Sequence, residues 1–231
     1  MNLQLQLSYG WDDFDIQFSV NRSNNIPTFY HRYYESSSTK PNPDLKMEET
    51  TNYNLTFSSQ FKESLEGSLS FFLNDMSNRI TYTHEDTFGR YINVGSATRK
   101  GIETTVKWTP DNIWQVKTSY TFLIARDEDT GKYLTYSPKH QLSFDLQLKP
   151  FRKLSLGLNT KYISKRFVNT DNTKSLHGHY FRSDLWGDYH LKKKVNLFFK
   201  VDNLFNRDYD NGSYGYPVTP RALKVGIGYE F

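Results

Sequence analysis

The 231-residue chain carries 29 Lys and Arg against 25 Asp and Glu, a formal charge of +4, and contains no Cys. Without thiols it has neither a disulfide framework nor a thiolate metal site, and its basic residues are scattered among acidic ones, which excludes a nucleic-acid-binding stripe. Aromatic residues reach 16%, yet mean hydropathy is −0.73 and nowhere do about 18 apolar residues run together, so a helical membrane span is excluded as well.

The first residues, MNLQLQLSYG, already alternate, whereas a signal peptide would show a basic start and a continuous apolar run. The expectation is that an export signal lies upstream of this stretch or that the protein is not exported. Period-two alternation then recurs in eleven segments, at 2–9, 12–21, 49–61, 64–82, 90–108, 112–126, 139–149, 152–168, 178–191, 194–206 and 220–231. Several are longer than the usual globular strand of about five or six residues and long enough to cross a bilayer, which takes about 9 to 11.

One face of each segment is apolar: Phe14, Ile16, Phe18 and Val20 early in the chain, Leu142, Phe144, Leu146 and Leu148 in the middle, and Leu223, Val225, Ile227, Tyr229 and Phe231 at its end. The other face holds Ser, Thr, Asn, Gln, Asp and Lys, or in the last segment small and charged residues that include Gly226 and Gly228. No helix follows that Gly-x-Gly pair, so it is not a nucleotide loop, and small lumen-facing residues explain it better.

Connections alternate in length. Short ones are expected at Gly10-Trp11, 62–63, 109–111, 150–151 and 192–193, and long ones at 22–48, 83–89, 127–138, 169–177 and 207–219. Trp11, Trp108, Trp114 and Phe151 sit beside the short turns, where an interfacial aromatic girdle belongs. Tight turns at one end and long loops at the other describe an all-β, up-and-down antiparallel transmembrane β-barrel, with the tight turns periplasmic. A soluble β-sandwich can alternate strand by strand, but has no reason to keep that order of connections. With eleven strands the first and last both descend, and bacterial barrels have an even number of antiparallel strands. Residues 1–231 therefore read as the C-terminal eleven or so strands of a barrel of twenty-two, a size at which outer-membrane transporters carry a plug in the lumen.

Several short stretches resemble those of the TonB-dependent outer-membrane receptors. Pro27-Thr28-Phe29-Tyr30-His31-Arg32-Tyr33-Tyr34 is similar to a Pro-Thr-Leu-x-Glu-Leu-Tyr segment of that family, and Asn42-Pro43-Asp44-Leu45-Lys46-Met47-Glu48 to its Asn-Pro-x-Leu-Lys-Pro-Glu, with Met47 in place of proline. Tyr91-Ile92-Asn93-Val94-Gly95 with Lys100-Gly101-Ile102-Glu103 resembles its Asn-x-Gly and Gly-x-Glu strand, and Ser137-Pro138-Lys139-His140 a proline-led strand entry. Asn203-Leu204-Phe205-Asn206-Arg207-Asp208-Tyr209 resembles its closing Asn-Leu-Phe-x-x-x-Tyr, and Pro220-Arg221 the start of the last strand. The resemblance implies a receptor in the outer membrane of a Gram-negative bacterium, engaged in energy-coupled import of a bulky, scarce nutrient such as a ferric siderophore, haem or cobalamin. It further implies a plug and a TonB contact N-terminal to these residues, outer-membrane lipid around them, and room for a surface lipoprotein over the loops. The alternative reading is a passive porin or surface adhesin.

Within the long loops, Tyr30, His31, Arg32, Tyr33 and Tyr34 form the richest cluster. Aromatic rings stack on flat ligands and a guanidinium offers bidentate charge to a carboxylate, so these five are the expected ligand contacts, against the alternative that the rings only pack the loop. His177-Gly178-His179 lacks a third metal ligand, and Arg126-Asp127-Glu128-Asp129 reads as a solvated acidic loop tip before it reads as a calcium site. No resident cofactor or metal is expected, and no nucleophile, base and orienting group stand together in a motif, so catalysis is not expected either.

Overall fold

The computed structural model describes residues 2–85, 88–175, 180–192, 194–208 and 219–229. They form one eleven-stranded sheet in strict chain order. The strands are β1 (Leu3–Trp11), β2 (Phe14–Asn25), β3 (Glu48–Lys62), β4 (Leu65–Glu85), β5 (Phe88–Trp108), β6 (Trp114–Asp127), β7 (His140–Phe151), β8 (Leu154–Ile163), β9 (Tyr180–Lys192), β10 (Val195–Asp202) and β11 (Ala222–Tyr229), with a single helical turn, α1 (Phe29–Tyr33), between β2 and β3. All neighbouring strands are antiparallel.

Register explains why the alternation adds up to a surface. Leu7, Phe18, Leu55, Phe71, Ile102 and Phe122 stand opposite one another across six strands, and Leu148, Leu156, Gly187, Phe199 and Val225 do the same across the last five. The next residue along each strand belongs to the other face: Ser8, Gln17, Thr56, Ser70, Glu103, Thr121 and Gln141 make an unbroken polar row. The two faces are thus an apolar band and a wet wall, as in a transmembrane barrel.

The chain does not cover that band itself. The chain exposes 15762 Å², where a compact soluble monomer of 27.2 kDa exposes about 10,900 Å². Among the described residues the buried hydrophobic side chains are Leu45, Ala97, Leu123 and Ala125 alone, while Ile227 is 73% exposed. Three hydroxyls on the apolar face find partners within the sheet, as lipid favours. Thr160 and Ser183 share a 2.9 Å hydrogen bond, and the Thr104 hydroxyl donates to the Ser68 carbonyl at 3.0 Å.

The expected strands are all present, with shifted ends. The first tight turn is Asp12-Asp13, one pair later than Gly10-Trp11, and Asp12 takes the left-handed conformation (φ 48) that closes it. Residues 83–85 and 88–89, expected within a long loop at 83–89, belong instead to two paired strands of 21 residues each, whose ladder reaches Glu85 and Phe88. A backbone ladder needs no apolar side chains, so the polar Thr83 could not mark its end. β8 stops at Ile163 and β10 at Asp202, earlier than expected. Phe231 and His177-Gly178-His179 lie outside the described residues.

Candidate functional site

The β4–β5 hairpin rises beyond its neighbours at the long-loop end and organises the loops there. Asn78 breaks the pleat with a left-handed backbone (φ 54) between the Ser77–Ser96 and Arg79–Val94 pairs, a conformation Asn tolerates better than most residues. Above the break the ribbon offers Tyr82, Tyr91 and Asn93 to the β2–β3 loop, and Arg79, Thr81 and Val94 to the loop between β6 and β7. One hairpin is therefore covered on its two faces by two different loops.

Residues 26–47 dock on the first face. Thr28 caps α1, its hydroxyl accepting from the His31 amide at 3.2 Å, and the turn closes where the Tyr34 amide donates to the Tyr30 carbonyl at 3.1 Å. Asn42 then donates to the Tyr91 carbonyl at 2.8 Å. Asn93 clamps Lys46, accepting from its amide at 2.7 Å and donating to its carbonyl at 3.1 Å, while also donating to the Asn78 carbonyl at 2.7 Å. Thr39 and Tyr82 join their hydroxyls at 2.8 Å, and Leu45 is 2% exposed. Asn42, Leu45 and Lys46 on one segment and Asn93 on the other thus form a dock between two stretches 47 residues apart in sequence.

The five expected ligand residues come together, but not in one role. Tyr30 stacks on Tyr34 with centroids 4.4 Å apart, and Tyr33 lies 5.8 Å from Phe29; all four rings are exposed, Phe29 by 85%. His31 turns inward to Tyr91 at 4.7 Å. Arg32 donates to the Leu45 carbonyl at 2.9 Å and its own carbonyl accepts from the Asn42 amide at 2.8 Å, so it holds the loop. Phe29, Tyr82 and Tyr91 complete the aromatic group and were not among the expected residues. Removal of water by these rings, followed by the Tyr34 and Tyr91 phenols, pushes the Tyr30 phenol above its ordinary value.

On the second face a cavity of about 600 Å³ lies between the hairpin and residues 127–137, with Thr170 and Asp171 at its side. The Asp129 carboxylate lies over Gly95, in the space a Cβ on that residue would take. The acidic run is engaged in its own turn. Asp127 accepts from the Thr130 amide and hydroxyl, both at 2.9 Å, and pairs with Arg79 at 3.7 Å, while the Thr98 hydroxyl donates to Glu128. Among the described residues no three His, Cys, Asp or Glu converge as a metal set. Tyr133 lies beneath Lys139, whose ammonium is 4.1 Å from the ring centroid, and beside Arg126 at 5.0 Å. Lys139 and then Arg126 hold its phenol below the usual range.

Two rings on the polar face below these loops lie against glycines. Trp186 rests on Gly157 and Phe198 on Gly226, where a Cβ would come within 2.1 and 2.3 Å of the rings. Gly226 and Gly228 thus have the small, lumen-facing role expected of them. At the end of β10, Asn203 is 1% exposed. Its side chain donates to the Arg207 carbonyl at 2.9 Å and accepts from the Arg207 amide at 2.9 Å, which makes the Asn-Leu-Phe stretch a turn-former.

Residues 3–204 match the family described as TonB dependent receptor-like, beta-barrel. The chain belongs to that family. Among curated relatives, the vitamin B12 transporter BtuB of Vibrio cholerae is 26% identical over 224 residues, covering 95% of this chain and 35% of BtuB. The ferric-pyoverdine BN7/BN8 receptor of Pseudomonas putida is 24% identical over 172 residues, covering 72% of this chain and 21% of the receptor. A mutant of the ferric enterobactin receptor PfeA from Pseudomonas aeruginosa superimposes with a TM-score of 0.80 at 19% identity, over 99% of this chain and 40% of that one; at that identity it supports the fold. These relatives are named as transporters and receptors, not as enzymes. The chain spans about a third of the length of the BtuB relatives it matches.

Proposed function

We propose that residues 1–231 are the C-terminal barrel portion of an outer-membrane receptor of a Gram-negative bacterium. That receptor imports a bulky, scarce nutrient, a ferric siderophore, haem or cobalamin, at the expense of energy delivered through TonB. The observation that carries the reading is the open sheet of a TonB-dependent receptor barrel with a continuous polar wall. β1 and β11 both run toward the tight-turn end, so antiparallel closure needs an odd number of further strands, which upstream sequence would supply together with a plug. The exposed rings of Phe29, Tyr30, Tyr33 and Tyr34 suit capture of a flat ligand at the long-loop end. A surface lipoprotein over those loops is compatible with the same layout.

The test is uptake of radiolabelled cyanocobalamin, haem and ferric siderophores by source cells, with the full-length gene present or deleted and with TonB working or disabled. Accumulation of one ligand that is lost in either deletion is the expected result. Entry proportional to outside concentration and indifferent to TonB would replace this reading with a passive porin, and no change in uptake of any ligand would favour an adhesin.

A further inference from the structure

The polar face of the sheet is electrically divided. Between Asp15 and Glu66 at the tight-turn end and Glu48 at the long-loop end, β1 to β4 place no Asp, Glu, Lys or Arg on that face. Every strand from β5 to β11 places at least one there, from Glu103 on β5 and Lys117 on β6 to Asp202 on β10 and Lys224 on β11. On the neutral side the register even lines up amides, with Gln4, Asn21, Asn52 and Asn74 opposite one another across the four strands.

The two walls also differ in how far their polar groups are already used. On the charged one, Asp145 accepts from Asn159 at 2.5 Å and Asp188 from Asn196 at 3.2 Å, while Asp202 lies 2.8 Å from the Lys200 ammonium and 2.9 Å from that of Lys224. On the neutral one, Thr56 and Ser70 share a hydrogen bond of 2.9 Å, but the side-chain amides of Gln17, Asn52, Asn54 and Asn74 make none to the described residues. A concavity of about 460 Å³ opens among them, lined by Gln17, Asn54, Thr56, Phe72 and Asn74 and bordered by Glu103. An amide is donor and acceptor at once, and a hydrogen bond to it in water contributes little net. A wall of spare amides and hydroxyls therefore gives many weak contacts and no strong one. Passage needs that combination, binding favourable enough for entry and weak enough for exit, repeated along the way. An ionic wall would hold an oppositely charged solute and repel a like one.

We propose that the neutral wall of β1 to β4 is the lane along which the ligand crosses the lumen, and that the ligand meets it with an uncharged face carrying amide or hydroxyl groups. The proposal rests on the receptor reading above and deepens it by naming the route and the chemistry of the surface that travels it.

The experiment puts charge into the lane of the full-length receptor in source cells and measures surface binding and entry separately, with radiolabelled cyanocobalamin, haem and a ferric siderophore as probes. For the probe that enters, Asn54→Asp and Asn54→Lys should each slow entry at least about tenfold, since a charge without a counter-ion keeps its water against the passing solute. Surface binding should stay unchanged, because the loops are untouched, and Asn54→Gln, which keeps the amide, should preserve the natural rate. The same two charges at Ser143, between Ser119 and Lys161 on the charged wall, should leave entry nearly as it was. Entry indifferent to charge at Asn54, or equally sensitive at Ser143, would overturn the lane. Opposite effects of Asp and Lys at position 54 would reveal a charged ligand face and overturn it too. Recovery of the folded form in unheated gels guards against misfolding, and Gln17→Glu with Gln17→Lys repeats the test if the Asn54 variants do not fold. Failure of the lane is separable from failure of the transport reading. TonB-dependent entry that ignores Asn54 keeps the receptor and removes the lane, Asn54-dependent entry without TonB keeps the lane and removes the energy coupling, and entry of no probe removes both.

Discussion

Replacing Asn93 by Ala removes the clamp between the β2–β3 loop and the hairpin. Two of its three bonds, those to the Lys46 amide and carbonyl, face water, so each contributes about 0.5 kcal/mol net; the third, to the Asn78 carbonyl, is part-buried and contributes about 1 kcal/mol. The loop should lose about 2 kcal/mol of docking free energy, which is roughly a 30-fold rise in its opening equilibrium. Amide hydrogen exchange reads this directly, because the protecting partner of the Lys46 amide is the deleted side chain. Exchange should also accelerate at Lys40 and Asn42, whose amides are held by Gly89 and Arg32, while the strand amides of β6 and β7 stay unchanged. Asn93→Asp keeps an acceptor for the Lys46 amide but loses both donations, and should give an intermediate rise. Acceleration of less than about threefold at all three loop amides in Asn93→Ala would refute the clamp and place the docking energy in Leu45 and the ring contacts instead.

Replacing Tyr30 and Tyr34 together by Ala should weaken ligand capture about tenfold, on the scale of stacking contacts, with loop exchange little altered. Arg32→Ala should do the opposite, loosening the loop by releasing the Leu45 carbonyl; comparison of ligand dissociation constants with exchange rates separates the two. On the lipid face Ser183→Ala should cost about 0.6 to 1.7 kcal/mol in equilibrium unfolding from vesicles, because Thr160 loses its partner, whereas Thr160→Val combined with Ser183→Ala should recover most of it. The phenol of Tyr133, held low by Lys139 and Arg126, contributes stability that is complete above the unfolded-state value of about 10 and is lost as pH falls through the folded-state value. Phenolate absorbance should accordingly show a tyrosine ionising early in the natural protein and not in Tyr133→Phe.

Strands were legible because lipid outside and water inside impose period two on every spanning segment, and Leu142 through Leu148 carry that signal unmixed. It fails where lipid ends. Thr83 lacks the alternation, yet the ladder continues past it, since two loops cover the ribbon in place of lipid and water. Nothing in the residue types around Asn78 announces that side chains above it change face, so the meeting of Tyr82 and Tyr91 with α1 was not legible. The aromatic cluster at 30–34 was visible as composition; that Arg32 turns inward while Phe29 turns outward depends on a helical turn set by the Thr28 cap, a three-residue detail within a loop of more than twenty. The resemblance of Asn42 to Lys46 to a family segment acquires a physical content only with Asn93 in place.

The four buried hydrophobic side chains among the described residues, Leu45, Ala97, Leu123 and Ala125, all lie toward the long-loop end, where the hairpin and its two covering loops meet. The molecule therefore has two layers cohering for different reasons. One is a small water-excluding cap that would loosen at much the same temperature in any amphiphile. The other is a strand wall whose cohesion belongs to the hydrocarbon around it and should track chain length and bilayer thickness. Calorimetry in short-chain and long-chain lipids would resolve the two as separate transitions, the first fixed and the second moving.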